Sequence, residues 1–64
     1  MQDLASDMER VAARTVDWMR KDGERLDEAE IYEATAHAYK HSNPDAETLL
    51  RLRAFVHQLL NPLV

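Results

Sequence analysis

The sequence predicts an all-α fold of three helices, and three observations carry that prediction. Apolar residues recur at spacings of three and four along most of the chain. The single glycine and the two prolines fall at the edges of those periodic segments, where they punctuate helices instead of interrupting them. The composition, 45% hydrophobic and 31% charged, suits a compact core and not a disordered segment. Sixty-four residues make one domain, 1–64, in the size range where a single core is marginal. With no cysteine there is neither a disulfide nor a thiolate site to brace it. Stability must come from helix packing, and association between chains is the natural supplement.

The first helix is expected over about 3–22. Ser6 with Glu9 fits a capping box, but Leu4 is already in phase with the following stripe, which favours a start at Asp3. That stripe is Leu4, Met8, Val11, Thr15 and Trp18, broadened by Ala12, Val16 and Met19. Asp3, Arg10, Arg14, Asp17 and Lys21 fall on the opposite side, with ion pairs expected for Arg10–Asp7 and Arg14–Asp17. Arg20 and Lys21 complement the dipole of the last turn, and Gly23 is placed to take the left-handed position after it.

The second helix, about 28–41, has the strongest local signal. Asp27 and Glu30 form a capping pair, and Leu26 before the cap can meet Ile31 as a hydrophobic staple. Its apolar face is Ile31, Tyr32, Ala34, Thr35, Ala38 and Tyr39, lean in side-chain volume and suited to close approach.

The third helix, about 44–60, opens on Asn43 as cap with Pro44 at the first helical position. Leu49, Leu52, Val56 and Leu59 form its seam, flanked by Ala46, Leu50 and Leu60 on one side and Phe55 on the other. The apolar arc covers roughly 220° of the wheel, against ~100° for an ordinary surface helix. One neighbour within the chain cannot cover such an arc. The expectation is a homodimer or higher oligomer held through Leu49, Leu52, Phe55, Val56 and Leu59. Asn61-Pro62 ends the helix, leaving Leu63 and Val64 as an apolar tail that folds back on the bundle.

Candidate chemistry is sparse. Glu33, His37 and His41 stand one helical turn apart, with residue types that zinc accepts. The outer two are ~12 Å apart along the axis, so the three cannot converge on one ion, and no metal or cofactor is expected. His57 falls at the edge of the third helix's apolar arc. There is no glycine-rich phosphate loop and no nucleophile elbow, so an enzyme is not expected.

The formal charge of −4 opposes general attraction to nucleic acid. Helices two and three superficially resemble a helix-turn-helix, with Arg51 and Arg53 on the second member. Yet that helix is too apolar to lie in a groove, and Asp45 and Glu47 occupy the end that usually meets phosphate. A dimeric DNA-binding regulator is therefore the alternative reading. The leading one is a small acidic interaction module that self-associates and binds a larger protein, as an inhibitor, antitoxin or regulatory subunit does. Its expected partner-binding residues are Trp18, Met19, Arg20, Lys21 and Arg25, an anchor with flanking charge. No apolar run approaches the length of a membrane span, and the first residues lack a secretory pattern, so the chain reads as cytoplasmic.

Overall fold

The computed structural model describes residues 3–62; Leu63 and Val64, the expected apolar tail, lie outside the described residues. The fold is all-α. Three helices, α1 (Leu4–Lys21), α2 (Glu28–Ala38) and α3 (Ala46–Leu60), each pack on both of the others. A 3₁₀ turn, Lys40–Ser42, joins α2 to α3.

The start of α1 is the earlier of the two the sequence allows. Asp3 stands at the cap position, its carbonyl accepts the Asp7 N–H at 3.0 Å, and Ser6 Oγ donates to the Asp3 carboxylate at 3.0 Å. The helix ends as Gly23 permits. With φ at +74° that residue takes the left-handed conformation, its N–H donating to the Arg20 carbonyl and the Glu24 N–H to that of Met19. These two bonds make a Schellman motif.

The buried line of α1 differs from the expected stripe. Ala5, Met8, Ala12 and Val16 are buried, and Met19 packs half-buried beside them. Val11 and Thr15 are only half-buried, and Trp18 points outward. On the wheel the core direction is turned by roughly 80° from the seam read from the sequence. The reason is steric. Neighbouring helices approach where small residues such as Ala5 and Ala12 let them, whereas the sequence reading centred the stripe on bulk.

In α2 the Asp27 carboxylate accepts the Glu30 N–H at 3.1 Å, and Leu26 packs on the cluster that holds Ile31. Ile31 and Thr35 are buried, and Tyr32, Ala36 and Tyr39 pack half-buried around them. Ala34 and Ala38, expected inside, are exposed, because the two tyrosines draw the packed face toward their own side. The helix stops at Ala38, three residues short of expectation. Bonds from Tyr39 N–H to the Ala36 carbonyl and from Ser42 N–H to that of Tyr39 tighten the chain into the 3₁₀ turn. Asn43 closes it in the left-handed region, at φ 50°.

That use of Asn43 moves the start of α3. The cap is Asp45, whose carboxylate accepts the Thr48 N–H at 2.8 Å, and Pro44 lies outside the helix. The Ser42 and Asn43 N–H groups donate to the Tyr39 and Lys40 carbonyls, and the left-handed Asn43 followed by Pro44 then breaks the chain direction. At the other end the Asn61 N–H and side chain both donate to the His57 carbonyl at 2.9 Å. Along α3, Leu52 and Val56 are 1% and 0% exposed, while Leu49, Phe55, Leu59 and Leu60 are half-buried against the same cluster. Two neighbouring helices thus cover most of the wide apolar arc, and Leu50 is left out of it.

Candidate protein-interaction surfaces

Long-range polar contacts fix how the helices are clamped, and they decide which side chains remain for a partner. Arg51 on α3 reaches the Glu9 carboxylate of α1 through Nε at 2.8 Å and Nη2 at 3.4 Å, with Asp3 at 3.6 Å. The hydrogen bonds to Glu9 hold its guanidinium more firmly protonated than an ordinary arginine. Arg53 lies over the Tyr32 ring, 5.0 Å from its centroid. The two arginines that a helix-turn-helix reading would send into a groove therefore both have partners within the bundle.

At the opposite end His57 Nδ1 meets the Glu28 carboxylate at 2.9 Å, tying α3 to the start of α2. Arg20 donates to the Leu59 carbonyl at 3.1 Å, closing the end of α1 against the end of α3. None of these four contacts is legible in the sequence, because their partners lie 21 to 42 positions apart and no local spacing marks them.

The expected partner-binding set does not form one face. Trp18 is 61% exposed, and Arg14, Thr15, Asp17 and Lys21 line a shallow surface depression with it. Met19 turns inward against the core and Arg20 turns toward Leu59. Arg25 is exposed in the connection before α2. In that same connection, hydrogen bonding with Asp22 holds the Glu24 carboxyl above its usual range, with desolvation and the Asp22 charge acting in the same direction. Asp17 pairs with Lys21 at 3.4 Å instead of with Arg14, while the expected Arg10–Asp7 pair is present at 3.5 Å.

The expected oligomer residues divide in the same way. Leu52 and Val56 are enclosed by the chain's own helices, so a second chain would meet only the outer edges of Leu49, Phe55 and Leu59. On the expected flank Leu60 is half-buried while Ala46 and Leu50 are exposed, Leu50 at 67%. Leu50 lies in a second depression with Glu28, Arg53, Ala54, His57 and Gln58, which shares no residue with the one around Trp18.

His37 is exposed on α2 and His41 falls in the 3₁₀ turn, so the helical register that would align them ends between them. Among the described residues no cluster of three or more His, Cys, Asp or Glu is placed to hold a metal ion. No buried side-chain polar atom among them lacks a hydrogen-bond partner; the buried Thr35 hydroxyl donates to the Ile31 carbonyl at 2.9 Å. No described helix is long and apolar enough to cross a membrane. No family model, curated protein or solved structure matches this chain.

Proposed function

We propose that this chain is a protein–protein interaction module that self-associates and docks onto a larger protein, acting by occupying its surface. One observation carries the reading: Trp18 and Leu50, the large apolar side chains left exposed among the described residues, stand on different helices in separate depressions. Each is flanked by charge, the composition of an anchor within a polar rim. Two separate anchors suit a module that holds a copy of itself and a partner at once. An inhibitor, an antitoxin or a regulatory subunit works in this way, and a cytoplasmic setting is part of the reading. No catalytic step is involved.

Affinity capture from source-cell lysate tests it, comparing the wild type with Trp18→Ala, Leu50→Ala and the double variant. Salt-resistant recovery of one protein, lost in at least one variant, supports the proposal. Recovery of nucleic acid alone, weakening steeply with salt, would replace it with the DNA-binding reading.

A further inference from the structure

The side of α1 that α2 and α3 cover only in part, with Leu4 reaching the core cluster from its edge, has a pattern of its own. Leu4, Val11 and Trp18 recur at seven-residue intervals, half-buried, half-buried and exposed in turn. Thr15 lies beside them, and its hydroxyl already donates to the Val11 carbonyl at 2.9 Å, so covering it strands no donor. A seven-residue interval keeps side chains on one line along a helix paired with another helix.

The charges along one edge of this line divide by sign. The four charges nearest the line show the division: Asp3 and Asp7 stand in the first half of α1, and Arg14 and Lys21 in the second, all within about 80° of Val11 on the wheel, whereas Arg10 and Asp17 sit farther round, about 100° and 120° from it. Consider a second α1 laid antiparallel about a two-fold axis passing by Val11. Leu4 then meets Trp18 of the second copy, and Val11 meets its own equivalent. The same edge of each helix comes together. Asp7 lies roughly 6 Å from the axis along the helix, and Arg14 of the second copy roughly 4.5 Å from it on the same side. Asp3 and Lys21 match at roughly 12 and 15 Å. Symmetry doubles both pairs. A parallel arrangement would set Trp18 on Trp18 and place this charged edge against the uncharged Met8 and Met19 side, with no pairs gained.

From this complementarity we infer that the Leu4–Val11–Trp18 face of α1 binds the same face of a second copy in antiparallel orientation. The inference rests on the reading of the chain as an interaction module and assigns one of its two surfaces, leaving the Leu50 surface to the larger partner. The ion pairs these residues make within the chain do not oppose it. Asp17–Lys21 and Asp3–Arg51 are solvent-exposed contacts of 3.4 and 3.6 Å, and Asp7–Arg10, at 3.5 Å, joins a half-buried carboxylate to an exposed arginine, so a partner's charge can share or replace them at little cost.

Sedimentation equilibrium combined with charge reversal tests the assignment. The wild type should be dimeric, and Asp7→Arg or Arg14→Asp alone should weaken the dimer by about tenfold or more, since each creates like-charge pairs. The double variant, Asp7→Arg with Arg14→Asp, restores opposite charges and should recover most of the affinity. Circular dichroism of each variant separates lost pairing from lost folding. A second arm does not depend on charge. The chain has no cysteine, so Val11→Cys should form a disulfide-linked dimer on mild oxidation while Leu50→Cys does not. A wild type that stays monomeric at about 100 micromolar, a double variant no better than the singles, or cross-linking through Leu50→Cys but not Val11→Cys would overturn the inference. A monomer that still captured a larger protein would remove the antiparallel pair and keep the docking half of the function. An antiparallel dimer that captured nothing would support the pair and remove the docking half.

Discussion

Asp27 is the residue whose role follows most directly from sequence to structure. Its carboxylate accepts the Glu30 N–H, one of the orphan donors that every helix start leaves open. Asp27→Ala should therefore lower stability by about 0.5–2 kcal/mol in chemical denaturation. Glu33→Gln, on the exposed side of the same helix, should be nearly silent. Equal effects would mean that the cap is not what starts α2. Two other residues act through backbone conformation alone. Gly23 and Asn43 both hold positive φ, and a Cβ on Gly23 would meet no atom within 4 Å. The cost of Gly23→Ala is then conformational and not steric crowding, about 1–2 kcal/mol by the usual penalty for a left-handed L-residue. Asn43→Gly should be tolerated, and Asn43→Val should cost at least as much as Gly23→Ala, because a β-branched residue resists that region more strongly. Thermal melts of the three variants check the order.

At the scale of elements, periodicity gave the number and order of helices but misjudged which way they face. Caps and glycines act on their own neighbours, so Asp27, Gly23 and the Asn61-Pro62 stop were legible in the sequence. Facing depends on which residues let another helix come close, and that is settled between helices. The small Ala5 and Ala12 lie on the buried line of α1 while Trp18 is turned out. The start of α3 was misplaced because two plausible caps stand two residues apart, and Asn43 was needed to end the 3₁₀ turn. Leu50 and Leu52 test the resulting picture with identical chemistry on one helix. Leu52→Ala should destabilise by about 2–5 kcal/mol and Leu50→Ala by about 0.5 kcal/mol or less. A similar loss at both sites would place α3 in the wrong rotation. Asp45 supplies a pH test of the same element. Hydrogen bonds from Thr48 hold its carboxyl below the usual carboxylate range, so the unfolded chain binds a proton more readily than the folded one. Its contribution is present above the unfolded value and is lost as pH falls through the lower folded value. Relative to Asp45→Asn, the wild type should hold an advantage at neutral pH that shrinks below about pH 4. An advantage independent of pH would mean that the carboxylate charge adds nothing to the cap.

The whole molecule joins a marginal core to uncovered surface. Among the described residues the fully enclosed large side chains are few, Met8, Ile31, Leu52, Val16 and Val56, and no disulfide restrains the unfolded chain. A domain of this size gains a large share of its stability from anything that binds only the folded state. Self-association does that, and its contribution grows with concentration. A hundredfold rise in protein concentration adds about 1.4 kcal/mol per chain to a dimer that unfolds to monomers, or about 5–10 °C in Tm for a domain this small. The wild type should show that rise. Trp18→Ala should not, although its Tm at high dilution should stay close to that of the wild type, since the indole is largely exposed and contributes little to the monomer's own core. Leu50→Ala should keep the concentration dependence, because Leu50 belongs to the other surface. Differential scanning calorimetry across that range, with all three proteins in one buffer, distinguishes the cases. A wild-type Tm that is the same at both ends would remove self-association from the account of this fold. A concentration dependence that disappears with Leu50→Ala and survives Trp18→Ala would move the contact from α1 to α3.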